Sequence, residues 1–265
     1  MQATADGLAV LNSRVGRSPA ATDAERTTTG HMAPGPVVDR PSENAGQASL
    51  RLPVWQIGLV LVGFPLLYLL NSFAPWSVRL FGRGDRAAFF QFFASILTLH
   101  WLSAATVMLL LRRAGASLAQ LGLRVSGKRA LVLAGKVVMV GVVVVAVREL
   151  AGYAAARPRA LAFFPRGFAE NLFFVPVAIS AGFCEEFVYR GFGITALVGR
   201  GLRIWQAVTL SSCSFVFIHG LGALYAFPVF FAGGLLYAYL YLSRGNLLRP
   251  MIIHSLGDTT AILMP

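Results

Sequence analysis

Long apolar stretches alternate with short polar connections from residue 53 onward. A helix needs about 20 mostly apolar residues to cross the hydrocarbon core of a bilayer, and these stretches are close to that length. The pattern predicts seven spans, at about 53–74, 87–111, 129–149, 171–198, 204–221, 226–243 and 247–264. The predicted fold is therefore all-α, a polytopic membrane protein with about seven transmembrane helices.

The segment before the first span has a different composition. Residues 1–52 are rich in Ala, Ser, Thr, Gly, Pro and Arg and lack apolar periodicity, which predicts a disordered cytosolic N-terminal tail. Two accessory transmembrane helices follow in 53–114, and 115–265 form the core of the protein. Between the second and third spans, Ser117 and Gln120 have the spacing of a capping box, which predicts a short helix at the membrane surface.

Composition and charge support a membrane location. Only 13% of the 265 residues are charged, against about a quarter in soluble domains, and 56% are hydrophobic. The net charge of +12 comes from Lys and Arg that lie mostly between the apolar stretches, as the positive-inside rule expects. No basic patch is interleaved with aromatic residues, so no nucleic-acid partner is expected. We predict a multi-pass plasma-membrane protein, in contact with lipids, with its N-terminus in the cytoplasm.

Isolated polar residues within the spans are expected to serve packing. Cys184 and Cys213 fall in apolar sequence and are predicted to be buried thiols, not parts of a disulfide framework. His100, in the second span, is predicted to be a packed histidine.

The fourth span contains three charged residues within FCEEFVYRG. Each costs a few kcal/mol in a membrane unless it is paired or faces a wet cavity. Glu186 and Arg190 are four residues apart, so they share a helix face and can pair. Glu185 is rotated by about 100° from Glu186 and cannot use the same partner equally well. Either one acid is structural and the other performs chemistry, or all three form a buried ion cluster that holds helices together.

Two later spans add histidines with partners four residues away. His219 shares a helix face with Phe215, and His254 shares one with Asp258. If the three spans meet around one cavity, a glutamate, two histidines and a short acid form a set suited to hydrolysis. The carboxylate can act as general base towards a water. The imidazoles can hold a metal, share the proton transfer or donate to an oxyanion.

These motifs resemble those of a known family. EEFVYR matches EExxxR, Phe215 to His219 matches FxxxH, and His254 to Asp258 matches HxxxN/D in its Asp form. In this order and spacing they resemble the CPBP family, the CAAX-protease and bacteriocin-processing (Abi) intramembrane proteases. The resemblance covers about 115–265, where SLAQLGLR is similar to a short segment that precedes the family's core.

The resemblance implies a CAAX-protease-like helical core and a role for each motif residue. Glu185 would activate the water with the help of His219. His254 and Asp258 would position the substrate or stabilise the oxyanion, although an ionised Asp258 can only accept hydrogen bonds. Glu186 and Arg190 would support these groups.

The cofactor is left open by the sequence. Members of the family are described as metalloproteases, yet related members look like metal-free glutamate proteases. Glu185, His219 and His254 could form an open zinc site of three protein ligands and a water. In that case Glu186 would be the general base.

The expected function is an intramembrane endopeptidase that hydrolyses a peptide bond of a membrane-associated protein or peptide. A prenylated CAAX protein, a bacteriocin leader, a signalling peptide and a membrane-protein segment all remain open as its substrate. The alternatives are a proton- or ion-coupled transporter and a catalytically idle membrane scaffold. The transporter is disfavoured because the spans lack paired broken halves.

Overall fold

The computed structural model describes residues 50–123, 127–150 and 162–263, and these residues are helical wherever they form regular structure. All of them fall within one compact unit, Ala48–Pro265. We number the long helices in chain order as α1 Val54–Asn71, α2 Ala87–Arg113, α3 Gly127–Leu150, α4 Gly167–Gly199, α5 Ile204–Phe217, α6 Phe227–Leu242 and α7 Leu248–Thr259. The predicted N-terminal tail, apart from its last three residues, lies outside the described part of the chain.

Each predicted span corresponds to one of these helices, but not each helix is long enough to cross a bilayer. Among the described residues, α1, α2 and α4 are long and apolar enough to span a membrane, while α5 and α6 are shorter apolar helices. The all-helical membrane fold is therefore confirmed, and the count of seven spans is not. Large apolar side chains such as Val62, Leu66, Trp101 and Leu109 point outward on α1 and α2, as expected for surfaces in contact with lipid.

Helix α4 occupies the centre of the bundle. Of its most apolar stretch, 72% is buried, compared with 33% for α2. It packs against α2, α3 and α7, and its second half also contacts α5. Its hydrogen-bonding pattern changes at Glu186, where the α-helix of Gly167–Glu185 continues as a π-helical segment, Glu186–Ile194. Such i→i+5 turns are rare and are often found at functional sites.

The first turn of α4 is tied to the start of α2. The Arg86 guanidinium forms an ion pair with the carboxylate of Glu170 and also donates to the carbonyl oxygen of Phe164 at 3.1 Å. Glu170 lies in the first turn of α4, where a negative charge is favourable for the helix dipole. This ion pair holds the N-terminal end of α2 beside the N-terminal end of α4, away from Glu185.

The short helix predicted between the second and third spans is present as the 3₁₀ turn Leu118–Leu121. The Ser117 backbone N–H donates to the Gln120 side-chain oxygen at 3.0 Å, as expected for a capping box. Gly122 follows with φ of 77°, and its carbonyl oxygen accepts a hydrogen bond from the Leu247 N–H at 3.1 Å. This connection therefore holds the chain before α3 against the start of α7.

Gly182 allows α4 and α7 to approach closely. A Cβ at this position would overlap the Ser255 side chain and would lie 2.8 Å from the carbonyl oxygen of Met251. Backbone atoms of α7 cannot rotate away as a flexible side chain could. The crossing of α4 and α7 therefore depends on the absence of a side chain at Gly182.

We expect Gly182→Ala to lower the stability of the folded protein by about 1–3 kcal/mol, because the added methyl group forces α7 away from α4. Thermal unfolding in detergent would measure the change. Gly233→Ala on α6 is the matched control, since a Cβ there meets nothing within 4 Å. Equal unfolding temperatures for the two variants would contradict the proposed close crossing.

Candidate active site

Glu185 is a buried carboxylate at the end of the α-helical part of α4. Its side chain is 8% exposed, and its Oε1 lies 2.9 Å from Nε2 of His100 on α2. Its other oxygen, Oε2, lies 3.7 Å from Nε2 of His254 on α7. Oε2 is buried and has no hydrogen-bond partner among the described residues. The carboxylate is thus held on one side and open on the other.

Glu186 joins the two predicted motifs of α4 and α7. Its Oε1 lies 3.0 Å from Nη1 of Arg190, so the pair predicted from the i, i+4 spacing is present. The same oxygen accepts a hydrogen bond from Nδ1 of His254 at 2.8 Å. Glu186 and Arg190 are almost fully buried, at 0% and 1% exposure. A buried ion pair needs further hydrogen bonds to offset its desolvation, and His254 supplies one.

Arg190 is surrounded by groups that suit a cation. Its guanidinium carbon lies 4.0 Å from the centre of the Phe215 ring and 5.4 Å from that of Tyr237. Its Nη2 donates to the carbonyl oxygen of Gly234 at 3.3 Å. Aromatic faces attract guanidinium groups, and more strongly where water is excluded. Arg190 therefore connects α4 with both α5 and α6.

His254 lies between three carboxylates. Because an ionised carboxylate only accepts, the contact with Glu186 places a proton on Nδ1 of His254. Its Nε2 then points to Glu185 and to Asp258, whose Oδ2 is 3.6 Å away. The Tyr237 ring stacks on the imidazole, with ring centres 4.5 Å apart and an angle of 14° between the planes. The orientation of His254 is thus fixed from two sides.

His219 lies just beyond the end of α5. Its Nδ1 is 3.1 Å from the Phe215 carbonyl oxygen, which can only accept, so this nitrogen carries a proton. The ring stacks on Phe230 at 3.9 Å and meets the Phe215 ring edge to face at 5.0 Å. Among the described residues, His219 forms no ion pair with either glutamate. The Phe215 ring contacts both histidines, since its centre also lies 6.0 Å from that of His254.

Five of the six predicted site residues therefore form one connected cluster. Glu185, Glu186, Arg190, His254 and Asp258 are joined by contacts of 2.8 to 3.7 Å, and His219 is linked to them through the Phe215 ring. Asp258 is the most open of the five, with 37% of its side chain exposed. The structure thus brings α4, α5 and α7 together as the motifs predicted.

The residues do not form a metal site. In the described part of the chain, no group of three or more His, Cys, Asp or Glu side chains is placed to hold an ion. Of the zinc ligands considered above, Glu185 is paired with His100, His254 is paired with Glu186, and His219 faces Phe215 and Phe230. A zinc ion therefore does not fit this arrangement, and we assign no chemical step to one.

His100 is the contact that the sequence did not indicate. It is buried, as expected of a packed histidine, but its partner is the carboxylate of Glu185, 85 positions away. No motif or i, i+4 acid on α2 points to this pairing. The one indication in the sequence was the position of His100 within an apolar span, where a polar ring needs a hydrogen-bond partner.

One comparison with known proteins gives a match. Residues 167–260 match the family described as type II CAAX prenyl endopeptidase Rce1-like. The match extends from the start of α4 to the end of α7 and contains all six predicted site residues. It is consistent with the CPBP family, so the resemblance identified from the three motifs is confirmed. Comparisons with curated proteins and with solved structures returned no match.

The match and the helices together define the class of protein. The chain is a membrane protein, and its residues 167–260 are similar to a CAAX-type protease family. Nothing in the structure or in the family match supports the transporter alternative. Helices α1 to α3, including His100, lie outside the matched segment.

Proposed function

We propose that the chain is an intramembrane endopeptidase in which Glu185 activates a water. The proposal rests on one observation, Oε2 of the buried Glu185 carboxylate, which accepts no hydrogen bond from the described residues. It faces His254 inside the segment that matches the protease family. A carboxylate in this setting can take a proton from water without competition from another donor. Seven membrane spans and a plasma-membrane location with a cytoplasmic N-terminus are part of the same proposal.

The first step forms a tetrahedral intermediate. Glu185 Oε2 takes a proton from the water, and the oxygen of that water attacks the carbonyl carbon of the peptide bond. The oxyanion needs a donor, and an ionised Asp258 offers none. When protonated, His254 donates from Nδ1 to Glu186 and has an Nε2–H for the oxyanion, with Asp258 balancing its charge.

The second step breaks the peptide bond. The proton held by Glu185 passes to the leaving amine as the carbon–nitrogen bond opens, which restores the ionised carboxylate. His219 assists from beside the cluster, where its Nδ1–H is engaged by the Phe215 carbonyl and its Nε2 is left as an acceptor. Glu186 and Arg190 do not react. They hold His254 in place.

The proposed substrate is a membrane-associated protein or peptide. The matched family is named for CAAX prenyl endopeptidases, so a peptide bond near a lipid-anchored chain end is one candidate. The Asp258 side chain is 37% exposed and that of Glu185 is 8% exposed, so we expect a substrate to contact Asp258 before Glu185.

The test compares peptide termini in membranes of cells that make wild-type protein or Glu185→Gln at equal levels. We expect new termini with the wild type only, and these would also identify the cleaved bond. Identical termini from two folded proteins would overturn the proposal and favour the scaffold alternative.

A further inference from the structure

The closest polar contact of Glu185 comes from outside the family-matched segment. His100 is 2% exposed, and its Nε2 lies 2.9 Å from Glu185 Oε1. Its ring is packed beside Tyr68 of α1, with ring centres 5.8 Å apart. Helix α2 packs along α4, and its N-terminal end is fixed there by the ion pair of Arg86 with Glu170. The imidazole is therefore held rigidly against the carboxylate.

The chemistry of the contact defines which atom carries the proton. An ionised carboxylate has no hydrogen to give, so His100 must donate from Nε2. Its Nδ1 is buried and has no hydrogen-bond partner among the described residues. A hydrogen on Nδ1 would be an unsatisfied buried donor, so these surroundings favour the neutral Nε2–H form.

This hydrogen bond makes the two oxygens of Glu185 different. Oε1 is engaged by His100, while Oε2 has no hydrogen-bond partner in the described part of the chain and faces His254. Without His100, the carboxylate could rotate about its terminal bond, since such torsions are broad. Neither oxygen would then be held in one direction towards the water.

We propose that His100 is a positioning residue that holds Oε1 of Glu185 so that Oε2 faces the attacking water. The inference rests on the proposed hydrolytic function. The inference extends the site to α2. The segment that carries the three motifs would then not be sufficient by itself to orient its general base, Glu185. His100 does not touch substrate and acts through Glu185.

Three variants separate this role from simple packing. His100→Gln keeps an N–H donor at about the position of Nε2, and His100→Leu removes it. Trp101→Phe is the matched control, because it removes a second hydrogen bond between α2 and α4, from Trp101 Nε1 to Ser180 Oγ at 3.1 Å, away from Glu185. A packing role would make His100→Gln and His100→Leu alike, because both remove the same buried ring.

The rate of hydrolysis is measured on the full chain in membranes. It is the rate at which the new peptide terminus appears, the terminus that wild type produces and Glu185→Gln does not. A displaced catalytic group can cost about 10²-fold, so we expect a loss of that order for His100→Leu. We expect His100→Gln to retain activity within about tenfold of wild type, and Trp101→Phe to match wild type. With purified protein and a peptide spanning the cleaved bond, the loss should fall on kcat and leave KM unchanged.

A second measurement does not depend on activity. In a double-mutant cycle of thermal unfolding in detergent, His100→Leu should lower the midpoint less in the Glu185→Ala background, which lacks the acceptor, than in wild type. Equal shifts would show that the two side chains do not interact and would overturn the inference. A wild-type rate for His100→Leu, or an equal loss in His100→Leu and His100→Gln, would also overturn it while leaving the proposed function intact. Absence of hydrolysis by wild type would overturn the proposed function, and the role of His100 with it.

Discussion

Glu185→Gln is expected to reduce peptide-bond hydrolysis by about 10²–10⁴-fold, the usual contribution of a general base. The amide cannot take a proton from water. It has almost the same size as the carboxylate, and its oxygen can still accept the hydrogen bond from His100. The fold should therefore be retained. The rate of terminus formation per amount of folded protein is the quantity to measure.

Comparison with Glu185→Ala separates chemistry from structure. Loss of hydrolysis in both variants would indicate a chemical role, whereas activity retained by Gln and lost by Ala would indicate a structural one. Asp85→Asn is a suitable control, since it neutralises a carboxylate that pairs with Arg79 at 3.7 Å, outside the site. We expect this control to hydrolyse at the wild-type rate.

Glu186→Ala is expected to have the largest effect on stability. Removal of one partner from a buried ion pair costs about 3–5 kcal/mol, because the remaining charge is left uncompensated. Here that charge is Arg190, which is 1% exposed. His254 would lose its Nδ1 acceptor as well. Thermal unfolding in detergent should show a clearly lower midpoint than for wild type.

Two controls test this explanation. Glu185→Ala should destabilise less, because its histidine partners can be neutral and so leave no permanent charge unpaired. The double variant Glu186→Ala with Arg190→Met should recover part of the loss, since it removes both charges. Equal midpoints for Glu186→Ala and Glu185→Ala would contradict the assignment of Glu186 as the structural acid.

The contacts within single helices followed from the sequence. Spacing of four residues correctly predicted the pair of Glu186 with Arg190, the packing of Phe215 against His219, and the proximity of His254 to Asp258. The period of a helix fixes which side chains share a face, and this relation holds whatever the neighbouring helices are.

The contacts between helices were decided by the tertiary structure. Glu186 receives His254 from 68 positions away, and Glu185 receives His100 from 85 positions away. Which faces of two helices meet depends on their crossing, and at α4 and α7 that crossing depends on backbone contact at Gly182. A lone histidine in an apolar helix carries no periodic signal of its partner.

The sequence by itself determined the helical membrane class and the three motifs, and it predicted that Glu186 pairs with Arg190. Local periodicity and the cost of charge in lipid were sufficient for these conclusions. Only the tertiary structure decided that Glu185 contacts His100 of α2, that Phe215 contacts both His219 and His254, and that the described acids and histidines pair with each other and do not form a metal site. Those features depend on distances between helices, which are set by how closely their side chains pack.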